Sequence, residues 1–190
     1  MDKTVVIYKS KHGSTKKYAE WIGEELECPV LSADDFSKKE LEDYENIIFG
    51  GCVQAGGIMG FDLIKKNMRR LAGKKLVIFA VGLNIMQKET RMQLREINFN
   101  RRKVAHLTCY YCPGAYDPAK IRGIDAGIMK MMVNMLEKKP SLETTEEDRR
   151  LLKNVKNGAD LTDRKVYRTH NDINGYIYVT NAEQNILFMC

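Results

Sequence analysis

The chain has 190 residues, 44% of them hydrophobic and 29% charged, which is ordinary for a single α/β domain with a sizeable core. Lys and Arg number 31 against 25 Asp and Glu, a formal charge of +6 that favours anionic ligands or surfaces, while the dispersal of those residues without a recognition module excludes a nucleic-acid binder. No apolar run approaches the length of a membrane span and Met1-Asp2-Lys3 leads directly into a strand pattern, so a cytoplasmic protein without a signal peptide is expected.

Val5-Val6-Ile7-Tyr8 reads as a buried strand over about 4–9. Ala19, Ile22 and Leu26 recur at helical spacing, which predicts a first helix over about 15–27. A short second strand follows near 29–32, and then a short helix around 37–43. Strand three is predicted at 46–52, a helix at 58–72, and strand four at 75–81. Strands three and four are almost wholly apolar, as strands buried on both faces are. A weaker helix falls near 88–96 and a fifth strand at about 103–111. Thr144-Thr145-Glu146-Glu147 ahead of Leu151, Leu152 and Val155 predicts a capped closing helix over 145–157. Strands alternating with helices imply a parallel sheet covered on both faces.

The turn Ser10-Lys11-His12-Gly13-Ser14-Thr15 lies between the first strand and the first helix. A helix N-terminus there presents unpaired N–H groups and the positive end of the dipole, and Ser10, Ser14 and Thr15 add hydroxyl donors. Gly13 lets the backbone fold around a phosphate. The glycines of the dinucleotide turn and the Gly-Lys-Ser/Thr of the P-loop are both missing. Many hydroxyls and one glycine suit a single phosphomonoester such as that of FMN; an ordinary helix start at a strand–helix turn fits the same six residues.

The segment resembles the flavodoxin phosphate loop, hydroxyl-x-hydroxyl-Gly-x-hydroxyl, with His12 in place of the middle hydroxyl. Ile47 to Gly56 resembles that fold's third strand and following loop, and Leu76 to Leu83 its fourth. Pro113-Gly114-Ala115 is similar to a step after the fifth strand in the basic group that contains menaquinone-dependent protoporphyrinogen dehydrogenase. The resemblance covers about 3–165 and implies a doubly wound five-stranded parallel sheet of order 2-1-3-4-5. It also implies FMN as cofactor, with its phosphate on Ser10 to Thr15. The ring would lie between Cys52, Val53, Gln54, Ala55 and Gly56 on one side and Gly82, Leu83 and Asn84 on the other.

The third loop lacks the aromatic that often stacks on the flavin of electron carriers; Tyr110, Tyr111 or Tyr116 can cover the ring instead, or simply pack. His12 can help neutralise the phosphate. Five cysteines in scattered positions make no disulfide framework, and Cys109 and Cys112 at a strand end read as structural rather than as a redox pair or metal site. His106 reads as a packed or edge histidine of strand five.

Residues 117–139 exceed the minimal fold. Ile121, Ile124, Ile128, Met131, Met132 and Met135 recur at three- and four-residue steps, with Lys120, Arg122, Lys130, Lys138 and Lys139 at the edges. This amphipathic helix either packs on the body of the protein, the expected outcome, or docks a membrane, a quinone or a partner. Residues 166–190 form a tail or a small hairpin. Three functions remain open: an FMN-dependent oxidoreductase acting on a small substrate, with protoporphyrinogen and a quinone as the pair the resemblance implies; an electron carrier that docks on redox partner proteins; and a flavodoxin-like scaffold that has lost FMN and serves in interactions.

Overall fold

The computed structural model describes residues 3–100, 103–164, 167–171, 177–181 and 186–189. Five parallel strands form its centre: β1 (Thr4–Lys9), β2 (Val30–Ser32), β3 (Asn46–Gln54), β5 (Lys75–Gly82) and β6 (Cys109–Pro113), in the order β2-β1-β3-β5-β6. This is the doubly wound order read from the sequence. β4 (Gly57–Ile58) folds back antiparallel on the end of β3. The helices are α1 (Ser14–Glu25), α2 (Asp62–Asn67), α3 (Lys88–Phe99), α4 (Gly123–Lys138) and α5 (Glu146–Asn157).

Strand alternation divides the core in two. Val5, Ile7, Ile47, Phe49, Ile78 and Ala80 point to one face, where Phe61, Ile64, Leu94 and Phe99 cover them. Val6, Ile48, Phe79 and Val81 point to the other, under Tyr18, Ala19 and Ile22 of α1. The central strands are therefore apolar at every step because both faces are dry. Gly50 is required by close approach: a Cβ there would stand 2.0 Å from the Phe79 ring.

Two predicted elements of the sheet and its covering helices differ. The helix expected over 58–72 shrinks to α2, because Gly60 holds a left-handed φ of 75° that no helix accommodates. The fifth strand starts at Cys109 rather than 103. Residues 103–106 form turns, and Arg95 of α3 donates to the Ala105 carbonyl at 3.1 Å and the Leu107 carbonyl at 3.5 Å, which takes them out of the ladder. His106 is thus an exposed turn residue and not a packed strand residue. β6 can run on to Pro113 because β6 is the edge strand and the missing N–H of Pro113 falls on its unpaired side, while Gly114 donates to the Gly82 carbonyl at 2.9 Å.

Cys109 and Cys112 are three residues apart on one strand, so they face opposite sides of the sheet, one in each core. Burial pushes both thiols up, Cys112 to about 12. Neither can pair with the other or act as a thiolate. Among the described residues no group of three or more His, Cys, Asp or Glu is placed to hold a metal ion, and no helix is long and apolar enough to cross a membrane.

The 117–139 segment begins with a turn, in which Asp117 Oδ1 accepts from the Ala119 N–H at 3.0 Å, and is helical only from Gly123. Its C-terminal half packs through Leu136 on Leu151 and Val155 of α5, and α5 starts with a Thr145–Asp148 capping box. The apolar stripe expected to pack on the body is split. Ile121 is buried, Ile128 and Met132 are half-buried, but Ile124, Met131 and Met135 are 82%, 69% and 66% exposed. Met131→Glu combined with Met135→Glu is therefore expected to change unfolding free energy by no more than about 1 kcal/mol, as solvent-facing changes do. A urea titration showing a loss of several kcal/mol would mean that these two side chains are core.

β9 (Tyr167–Asn171), β10 (Ile177–Asn181) and β11 (Ile186–Met189) form a separate antiparallel sheet in the order β11-β10-β9.

Candidate functional site

The ends of β1, β3, β5 and β6 open into one cavity of about 180 Å³ at the carboxyl edge of the sheet. Strand order reverses between β1 and β3, and the crevice at such a reversal is where open α/β sheets take ligands.

The loop after β1 forms its floor. Gly13 holds φ 96° and precedes an α1 that no side chain caps, so the first-turn N–H groups point at the cavity unsupported. The Ser10 hydroxyl accepts from Gly13 N–H at 3.1 Å, and the Ser14 hydroxyl from Ala115 N–H at 3.0 Å. Each keeps its own O–H to donate. Thr15 is fully buried, and its Oγ1 is the one buried side-chain oxygen or nitrogen among the described residues without a hydrogen-bond partner. A polar atom left so costs free energy unless a ligand or water completes it.

The wall after β3 is a tight hairpin. Ala55 and Gly56 have φ of 47° and 77°, the two positive values of a type I′ turn, so β4 returns directly. Asn98 of α3 clamps it, accepting from Ile58 N–H at 2.9 Å and donating to the Gly56 carbonyl at 2.8 Å. Cys52, Val53, Gln54 and Ala55 line the cavity. Burial pushes the Cys52 thiol up despite nearby Lys11 and Lys9, so it faces the cavity as a neutral thiol.

The loop after β5 contributes Gly82 and Leu83. Asn84 turns away, donating to Thr90 Oγ1 at 3.1 Å at the start of α3. Gly114, Ala115 and Tyr116 complete the far wall. They are held by β7 (Ala115–Tyr116), which pairs with β8 (Ala159–Asp160), and by Tyr18 of α1. Tyr18 Oη donates to the Pro113 carbonyl at 2.9 Å and accepts from Asp163 N–H at 3.0 Å. Of the three tyrosines considered for the ring, Tyr116 alone lines the cavity; Tyr110 and Tyr111 pack on the two cores.

Of the fourteen residues proposed from sequence, the cavity gathers Ser10, Lys11, His12, Ser14, Thr15, Cys52, Val53, Gln54, Ala55, Gly82 and Leu83. Gly13, Gly56 and Asn84 shape the loops without lining it. The sequence reading missed that Asp125, Ile128 and Met129 of α4, with Ile121 just before it, roof the cavity. Asp125 Oδ2 lies 2.5 Å from Lys11 Nζ and 3.6 Å from His12 Nε2, and Oδ1 accepts from Gln54 Nε2 at 2.5 Å. The Lys11 ammonium, with Gln54 and His12 behind it, holds this carboxyl below the usual carboxylate range. The only signal in the sequence was Asp125, the single acidic residue between Asp117 and Glu137.

No curated protein matches the chain. Among solved structures it is similar to oxidised flavodoxin 1 from Bacillus cereus at 22% identity, covering 59% of this chain and 84% of that one, with a TM-score of 0.44. It is similar to oxidised flavodoxin 2 from Bacillus cereus at 16% identity, covering 80% and 94%, with a TM-score of 0.45. A flavodoxin mutant from Fusobacterium nucleatum bound to flavin mononucleotide matches at 16% identity over 64% and 74%, with a TM-score of 0.39. The sequence model of the flavodoxin domain matches residues 5–143, from the second residue of β1 to the segment between α4 and α5. With that match over most of its length, and the sheet order to go with it, the chain belongs to the flavodoxin domain family.

Proposed function

We propose that the cavity binds FMN and that the protein is an FMN-dependent oxidoreductase acting on a small substrate. The observation that carries the cofactor reading is the buried, unpartnered Thr15 Oγ1 beside an uncapped helix N-terminus. A hydroxyl donor with no protein acceptor, free first-turn N–H groups and an open glycine are the complement of a phosphate dianion. Nothing within 4 Å of Gly13 fills the space that a Cβ would enter. The remaining wall suits a flat, largely apolar ring: Val53, Ala55, Leu83 and Met129, with the Gln54 amide and the backbone of 52–58 as hydrogen-bonding edges.

The cofactor supplies the electron transfer; the chain's own residues fix where it can occur. Thr15, Ser14 and the start of α1 hold the phosphate end. The Asn98-clamped hairpin sets the height of the ring wall, and Leu83 with Tyr116 shields the opposite side from water. The reading as an enzyme rather than a carrier rests on the basic charge and on the apolar α4 beside the cavity mouth, both suited to a small anionic or quinone-like substrate.

Flavin titration of the purified protein tests this. FMN is expected to bind at least about tenfold more tightly than riboflavin, because only FMN satisfies the loop's charge-assisted donors. It is also expected to raise the melting temperature by mass action. Equal affinity for both flavins removes the phosphate assignment, and an FMN-saturated protein that turns over only one electron at a time with protein partners is a carrier.

A further inference from the structure

The Asp125 carboxylate sits where an anionic ligand would. It is 14% exposed, and its two oxygens take the Lys11 ammonium, the His12 imidazole and the Gln54 amide together. A carboxylate and a phosphate monoester are both compact oxyanions and call on the same donors. Lys11 and His12 belong to the phosphate loop, whereas Gln54 belongs to the ring loop, so a single residue of α4 bridges the two loops at the phosphate end of the cavity.

The part of α4 that carries Asp125 is also its least anchored part. The C-terminal half is fastened to α5 through Leu136, Val133 and Met132 against Leu151 and Val155. The first turn opens at Gly123 with φ 60°, contains Gly127 with open space around it, and leaves Ile124 82% exposed. Besides Asp125, the residues of this end that lie over the cavity are Ile121, Ile128 and Met129.

We propose that Asp125 is an internal competitor for the ligand phosphate and sets the protein's discrimination between FMN and its dephosphorylated form; this rests on the FMN reading above. When a phosphate enters, it takes Lys11 and His12 from Asp125. The first turn of α4 then leaves the cavity mouth, and the Gln54 amide is released towards the ring edge. Closure by Asp125 and occupation by a phosphate are mutually exclusive, so part of the intrinsic phosphate affinity is spent on opening. Riboflavin, which brings no oxyanion, does not contest these contacts.

The test is flavin-fluorescence titration of the flavin-free full chain with FMN and with riboflavin, for wild type, Asp125→Asn and Asp125→Ser. Both variants are expected to bind FMN at least about fivefold more tightly, with riboflavin affinity within about twofold of wild type. Asp117→Asn is the control for removing one negative charge nearby, since that carboxylate pairs with Lys120 and not with the loop. It is expected to change neither affinity. FMN binding unchanged or weakened in both Asp125 variants, or strengthened equally in Asp117→Asn, overturns the competitor role while leaving the cofactor reading in place. Failure of wild type and variants alike to bind either flavin overturns the cofactor reading, and this inference with it.

Discussion

Thr15→Val is expected to stabilise the flavin-free protein while weakening FMN binding by about 1–3 kcal/mol, the cost of leaving a charge-assisted hydrogen bond unmade. Valine keeps the β-branched shape that fits this fully buried position and removes only the hydroxyl. No protein group partners that hydroxyl, so its removal relieves a desolvation penalty on the order of 1 kcal/mol. On the FMN reading proposed above, the same hydroxyl would donate to the phosphate once the cofactor is bound, and the sign would reverse. Opposite changes in melting temperature and in FMN affinity are a signature that a residue of purely structural role does not produce. A variant that melts lower and binds FMN as tightly as wild type would show that Oγ1 serves the fold.

A second large effect is expected at Asn98, a buried side chain with three hydrogen bonds, two of which tie the β3–β4 hairpin to α3 while the third goes to the Leu94 carbonyl within the helix. Asn98→Leu conserves volume but strands the Ile58 N–H and the Gly56 carbonyl. Two buried polar groups left unsatisfied cost about 2–5 kcal/mol together. For a domain of this size that lowers the melting temperature by roughly 5–15 °C. The hairpin carries Val53, Gln54 and Ala55, so FMN and riboflavin affinity are expected to fall in parallel, unlike the FMN-selective loss at Thr15. A melting temperature within about 2 °C of wild type would mean that the type I′ turn holds the ring wall without help from α3.

The difference between these two sites shows what a single sequence reveals. Thr15 was legible because its neighbours in sequence are its neighbours in space: strand, turn and helix start are one local unit. The strands around it were legible for a related reason. Val5 to Ile7, Ile47 to Phe49 and Ile78 to Val81 are apolar without interruption, and only burial on both faces of a parallel sheet calls for that. Asn98 and Asp125 gave no comparable signal. Each acts on a loop distant in the chain, 40 residues away for Asn98 with Ile58 and 71 for Asp125 with Gln54, and no periodicity marks such a meeting. The fifth strand was misplaced by the same limitation. Its register is decided by β5, which pairs Ile78 with Cys109, and the residues before it are claimed by Arg95 of α3. The split stripe of α4 has a simpler cause. Helical spacing reports that apolar residues share a side of a helix, but not how much of that side a neighbouring element covers.

The wall made by Gly114 to Tyr116 has a consequence for the order in which the protein is made. It is pinned by the last described residues of the main domain: Leu161 N–H to the Gly114 carbonyl at 3.3 Å, β8 along β7, and Asp163 N–H to Tyr18, with Lys17 Nζ reaching Thr162 Oγ1 at 2.7 Å. Lys17 and Thr162 are 145 residues apart, so these contacts close a loop that spans nearly the whole domain. On the ribosome β1, α1 and β3 emerge and can pair early, yet the cavity stays without its far wall until residue 163 has left the exit tunnel. Closure of the cavity is thereby deferred until that point, and a nascent chain stalled before it has the Ser10–Thr15 loop but no closed chamber behind it.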